Sequence, residues 1–295
     1  MRVFVTGATG FIGTELVKEL VAAGHQVRGL TRSDAGVEQL KAAGVEVLRG
    51  DLEDLDSLRR GATGMDAVVH LAFSHDFSKF AQNAVDEINA IEALGSVMKP
   101  GTLLVVTSGV GLTAGAPGHL RTERDPALDL PSIPRRPEKA ARAVAEKGVH
   151  VAIVRLPQVH DTRKQGLVPL LTQIAREKGV SVYVGEGKNR WAAAPLKPVA
   201  RLYHLVVEKT GPGVTVYNAV DEEGVSAREI AETIGKGLKV PVVSITQEQA
   251  AEHFGWFAHF ASLDMPASSE WTRKTLGWNP TGPSLIEDLT NMKYF

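Results

Sequence analysis

Glycines 7, 10 and 13 follow directly on the apolar run Val3-Phe4-Val5, and a helical pattern begins at once behind them. No other feature restricts the fold so tightly. A short apolar strand that turns on glycine into a helix is one βα unit of an open α/β sheet. In TGATGFIG, Gly7 permits the tight turn, Gly10 lets a ligand approach the backbone, and Gly13 lets the helix close on the strand. Ile12, Leu16, Leu20 and Val21 mark one face of the helix, and Gly24 marks its end. The free N–H groups and the dipole at such a helix start favour phosphate. The spacing therefore predicts a dinucleotide held by Gly7, Thr9, Gly10, Phe11, Ile12 and Gly13. The competing reading is three turn glycines with no ligand.

The same alternation continues. β-rich apolar runs at 26–30, 45–48, 66–72, 102–107 and 149–155 are interleaved with helical patterns that include 80–98 and 138–147. Such runs suit strands buried on both faces of a parallel sheet. The predicted fold class is α/β, a Rossmann doubly wound parallel sheet with a smaller C-terminal α/β substrate-binding part. Past Pro157 the pattern loosens, with helices near 167–178, 196–208, 227–238 and 284–291 and strands near 181–184 and 214–218. We divide the chain into residues 1–160, an NAD(P)-binding domain, and 161–295, mainly substrate-binding, with about 192–220 returning to the first domain. The Gly- and Pro-rich segment 110–136 predicts a long loop, and long loops are often functional.

At the end of the second strand, Thr31 stands where a ribose-binding carboxylate belongs in an NAD site, and Arg32 and Ser33 follow. A guanidinium pairs bidentately with a 2′-phosphate, which favours NADP over NAD as the alternative. Arg32 is otherwise a solvated arginine, and Asp34 would blur the preference if it turned in. Composition removes other classes. Lys and Arg (33) balance Asp and Glu (34), so neither nucleic acid nor an anionic membrane is an expected partner. With no cysteine there is no disulfide or thiolate chemistry, which fits a reducing, cytoplasmic setting. The start has no signal-peptide pattern, and no apolar stretch approaches the roughly 20 residues a bilayer needs. Nine scattered histidines without an H-x-x-x-H pair predict no metal site.

Several segments, taken in order, carry a family resemblance. They are the TGATGFIG turn, Gly50-Asp51-Leu52, His70-Leu71-Ala72, Thr107-Ser108, Arg155-Leu156-Pro157 and Leu276-Gly277-Trp278-Asn279-Pro280. The chain resembles the extended, atypical short-chain dehydrogenases/reductases of the NAD-dependent epimerase/dehydratase group. The resemblance implies that Asp51 and Leu52 meet the adenine. It also implies that Leu71, Ala72 and Phe73 lie under the cofactor, with Thr107, Ser108 and Pro157 near the nicotinamide. A homodimer through helices 80–98 and 138–147 is implied too, although the second helix is highly charged here.

The sequence departs from that family at its chemistry. The family uses a Ser or Thr with a Tyr and Lys spaced YxxxK, the ammonium lowering the phenol's pKa. None of Tyr183, Tyr203, Tyr217 and Tyr294 has a lysine four residues on. PRRPEK (134–139) aligns with the motif and Gly109 with the serine. Candidate replacements are Ser108, the nearest hydroxyl; Arg135, a fixed cation beside an oxyanion; and the loop histidines His75 and His160. Each has an ordinary structural reading beside the catalytic one. The aromatic stretch 253–260 is a lid or a core segment, and Lys188–Trp191 is an anion contact or a solvated turn. Two functions remain open: an NADP-dependent oxidoreductase or epimerase-like enzyme acting on a small molecule, and a non-catalytic NADP(H) redox sensor.

Overall fold

The computed structural model describes residues 1–113, 116, 118–129 and 134–294, and in it the alternation of the first half becomes a row of parallel strands. The first half runs β1 (Arg2–Thr6), α1 (Phe11–Ala22), β2 (Gln26–Thr31), α2 (Asp34–Ala42), β3 (Glu46–Arg49), α3 (Leu55–Ala62), β4 (Ala67–His70), α4 (Phe80–Val97), β5 (Leu103–Gly109), α5 (Pro137–Ala145) and β6 (His150–Leu156). The second half adds β7 (Gln158–His160), α6 (Val168–Lys178), β8 (Ser181–Val184), β9 (Arg190–Pro195), α7 (Leu196–Lys209), β10 (Val214–Asn218), β11 (Glu222–Ser226), α8 (Ala227–Leu238), β12 (Val242–Ile245), α9 (Gln247–Phe254), α10 (Ala258–Ser262), α11 (Glu270–Leu276) and α12 (Leu285–Asn291).

Seven strands form one parallel sheet in the order β10-β6-β5-β4-β1-β2-β3. Strand alternation sorts their side chains into two cores. Val3, Val5, Val105 and Val154 face α1 and α7, while Phe4, Val68, Val106 and Ile153 face the layer of α3, α4 and α5. The strand order reverses between β1 and β4, and a crevice opens there at the strands' C-terminal ends. α7 packs its apolar face on α1, and β10 pairs with β6, so residues 196–218 complete this sheet. Trp278 also belongs to it, buried against α7 with its indole N–H donating to Pro198 O at 2.9 Å.

The remaining residues build a second, smaller unit. β9 lies between β7 (parallel) and β11 (antiparallel), and β8 pairs with β12. Its core gathers Val182, Trp191, Ile230, Phe254, Phe257 and Leu289. Within 110–136, the described residues form a 3-10 turn at Val110–Leu112 and a bridge between Thr113 and Ala127. Residues 114, 115, 117 and 130–133 of that predicted loop lie outside the described residues.

Candidate functional site

The glycine turn is built as its spacing predicts. Gly7 sits at φ +68°, and a Cβ there would stand 2.9 Å from the Ala72 backbone nitrogen. A Cβ on Gly13 would overlap the Gly7 carbonyl oxygen, so only glycine brings α1 this close to β1. Gly10 is exposed, and it precedes a helix with neither a side-chain cap nor an acidic residue in its first turn. The first N–H groups of α1 are thus left for an outside acceptor, as an anion site requires. Thr9, Phe11 and Ile12 line the same turn half-buried. Lys164, from the loop before α6, brings its ammonium 5.7 Å from the Phe11 ring centre.

At the end of β2, Thr31 is buried against Gly36. Ser33 caps α2, accepting from Gly36 N at 3.1 Å. Arg32 remains 82% exposed, with only Asp51 near it at 3.5 Å. Asp34 is taken up by an ion pair with Arg49, whose guanidinium also donates to Arg32 O at 3.2 Å. Arg49 is a residue the sequence reading missed. It pairs with Asp34 at the surface, where the Asp34 side chain stays 93% exposed. α3 starts at Leu55, where Asp54 caps it by accepting from Ser57 N, so Asp51 lies in the loop between β3 and that cap.

Beneath the crevice, the ends of β1, β4 and β5 are tied together by side chains. Thr6 Oγ1 lies 2.8 Å from His70 Nδ1 and accepts from Ala72 N at 3.3 Å. Burial first, and then the Arg135 charge, push the His70 pKa down to about 4, so the ring is neutral. Thr107 Oγ1 donates to His70 O at 2.9 Å and lies 2.8 Å from the Tyr203 hydroxyl. Because the Thr107 proton goes to that carbonyl, Tyr203 donates to Thr107. Tyr203 arrives from α7, is fully buried, and has its pKa raised by desolvation. It orients Thr107 without reaching solvent. Leu71, Ala72 and Phe73 follow β4 half-buried, and Pro157 follows β6 buried.

The four candidate catalytic residues have different surroundings. Ser108 points to the opposite face from Thr107 and donates to Glu138 Oε1 at 3.0 Å. Glu138 in turn holds the fully buried Arg155 through two bonds of 2.8 and 3.0 Å. Arg135 lies 4.3 Å over the Phe73 ring and pairs bidentately with buried Glu87 at 2.9 and 2.7 Å. Its charge is therefore compensated beside the Thr107 carbonyl. His160 is wholly buried, its Nδ1 2.7 Å from Asp288 of α12, within the second unit. His75 is the one that is exposed. Its ring is edge-on to Phe73 and Phe77. Its pKa is lowered first by desolvation among these rings and then by Lys164 and Arg135.

The aromatic stretch 253–260 divides between both readings. Phe254 and Phe257 are core, whereas Trp256 is 58% exposed and stacks on Phe77 of the loop after β4 at 5.2 Å. Lys188–Trp191 is structural in detail. Asn189 donates to Ala261 O, Arg190 pairs with Asp264, Trp191 donates to Leu263 O, and Lys188 pairs with Glu186. Among the described residues no helix is long and apolar enough to cross a membrane.

A family model described as NAD(P)H-binding matches residues 7–183. An uncharacterized protein of Schizosaccharomyces pombe is 43% identical over 100% of both chains. A 4-hydroxy-2-methyl-3-oxo-4-farnesyl-3,4-dihydroquinoline-1-oxide ketoreductase of Stigmatella aurantiaca is 28% identical, covering 90% of this chain and 84% of its own. Among solved structures, a dTDP-glucose 4,6-dehydratase double mutant from Streptomyces venezuelae with NAD bound superimposes with a TM-score of 0.77. It is 20% identical, over 100% of this chain and 96% of that one.

Proposed function

From the premise that the chain belongs to the NAD(P)H-binding family of extended short-chain dehydrogenases/reductases, we propose that it is an NADP-dependent oxidoreductase acting on a small carbonyl or alcohol substrate. The observation that carries the cofactor choice is the end of β2. Arg32 is open to solvent there, Thr31 takes the place of the acid, and Asp34 is held by Arg49. A 2′-phosphate would meet the Arg32 guanidinium and the Ser33 hydroxyl, both of which can donate to it. The pyrophosphate would rest on Gly10 and the uncapped start of α1. The similarity to a ketoreductase supports the carbonyl reading.

When bound, the cofactor exchanges hydride with the substrate carbon. This chain's residues do the rest. Tyr203 and His70 O fix Thr107, and Arg135 lies over Phe73 beside the same strand end. In alcohol oxidation the alcohol proton is assigned to His75, exposed on the loop leaving β4, whose lowered pKa suits a base; in carbonyl reduction the ring would first take that proton from solvent and then give it to the oxygen. A second reading, a non-catalytic NADP(H) sensor, draws on the pairing of Ser108 and Arg135 with buried carboxylates.

Calorimetric titration with NADP, NADPH, NAD and NADH tests the proposal. The phosphorylated forms should bind more tightly, and Arg32→Ala should weaken them about 10- to 100-fold, as loss of a charge-assisted hydrogen bond does, with little effect on NAD. Equal binding of all four, unchanged by Arg32→Ala, would overturn the NADP assignment. Tight NADPH binding without oxidation across a panel of ketones and aldehydes would favour the sensor.

A further inference from the structure

At the N-terminal end of the strands, opposite the crevice, His25 precedes β2 while His204 and Glu208 lie one turn apart on α7. One ligand atom from each lies within 4.8 Å of the others. His204 Nε2 is 3.1 Å and His25 Nε2 3.6 Å from Glu208 Oε1. Two ligands on a tetrahedral ion at about 2.0–2.1 Å stand roughly 3.3 Å apart, between these two separations. The imidazole side chains are 5% and 8% exposed, and the Nε2 atom of each is buried without a hydrogen-bond partner. Both nitrogens are aimed at the same carboxylate oxygen of Glu208.

We propose that His25, His204 and Glu208 form a binding site for a divalent transition-metal ion of the Zn²⁺ class, separate from the cofactor crevice. Two imidazoles and a carboxylate are a donor set for Zn²⁺, with a fourth position left to water on the half-exposed side of Glu208. The surroundings suit ligation. Glu19 Oε2 is 3.5 Å from His204 Nδ1, so with the proton on Nδ1 that carboxylate accepts it and Nε2 faces the ion. Without an ion, Arg201 Nη1 donates to Nδ1 at 2.6 Å, so binding at Nε2 would put the proton on Nδ1 and turn the guanidinium onto Glu19, now 3.4 Å away. The ion would pin the α1–β2 turn to α7, joining segments 179 residues apart in the chain.

The test is calorimetric titration of the full-length, EDTA-treated protein with Zn²⁺. It is paired with Co²⁺ read by its d–d absorption, in the wild type, Glu208→Gln and His25→Asn. The expected result is one ion per chain, a tetrahedral Co²⁺ spectrum, and at least a tenfold loss of affinity in each variant. Glu208→Gln is half-exposed and isosteric, so it keeps the fold and separates ligand loss from unfolding. The thermal midpoint should rise with Zn²⁺ in the wild type and not in the variants. No uptake by the wild type, or uptake unchanged in both variants, would overturn the site.

Discussion

At the scale of single residues, the crevice floor is a set of buried polar groups, most answered by a neighbour, with His70 Nε2 the exception. Ser108, Glu138 and Arg155 lie within the core layer under α5, and their mutual bonds remove the cost of burying a carboxylate and a guanidinium. His70 is answered differently, by remaining neutral. Its folded pKa of about 4 lies below the unfolded value of about 6.5, so between these the unfolded chain binds more protons. The stability is complete above pH 6.5 and is lost as pH falls toward 4. This loss should be smaller in His70→Asn, by on the order of 3 kcal/mol, in chemical denaturation at a series of pH values. Parallel profiles for the two proteins would show that His70 does not carry it. Legibility at this scale was uneven. Gly7, Gly10 and Gly13 were readable because local geometry demands them. Glu87 and Tyr203 were not, because their partners Arg135 and Thr107 are remote in sequence. Glu87 left one trace, a charge in the apolar stripe Ala84, Ile91 and Leu94 of α4.

At the scale of elements, β1, β4, β5 and β6 were legible because apolar residues run along both of their faces. β9 was not. Its Trp191-Ala192-Ala193-Ala194-Pro195 run has low strand propensity, and it is a strand because β7 and β11 flank it. The same tertiary override acts on the turn at Gly255–Phe257, which places Phe257 in the core and Trp256 outside it. The Trp256–Phe77 stack is the aromatic contact that links this turn to the loop after β4. Such a pair is worth about 0.5–1.5 kcal/mol. Trp256→Ala should therefore speed hydrogen exchange of the amides at Phe77–Lys79 severalfold while leaving those of β1 and β5 unchanged. Unchanged exchange at Phe77–Lys79 would mean that the loop is held by Asp76 and Asn83 instead.

At the scale of the whole molecule, the chain leaves the seven-stranded sheet after β6 and comes back to it through α7 and β10, inside the span of about 192–220 that the sequence assigns to the first domain. β10 covers the outer edge of β6, and α7 with Trp278 covers α1. A fragment of residues 1–160 would expose both the unpaired edge of β6 and the apolar flank of α1. It should be protease-sensitive and aggregate, whereas the full chain resists cleavage; a soluble, dinucleotide-binding fragment would show that α7 and β10 are dispensable. The late return of α7 and β10 also bears on how such a chain can diversify. Recombination that exchanged everything after the sixth strand would carry away the wall of the cofactor unit. New specificity is therefore gained by altering the excursions at 161–190 and 219–270, between fixed points of the sheet, and not by exchanging one half for another.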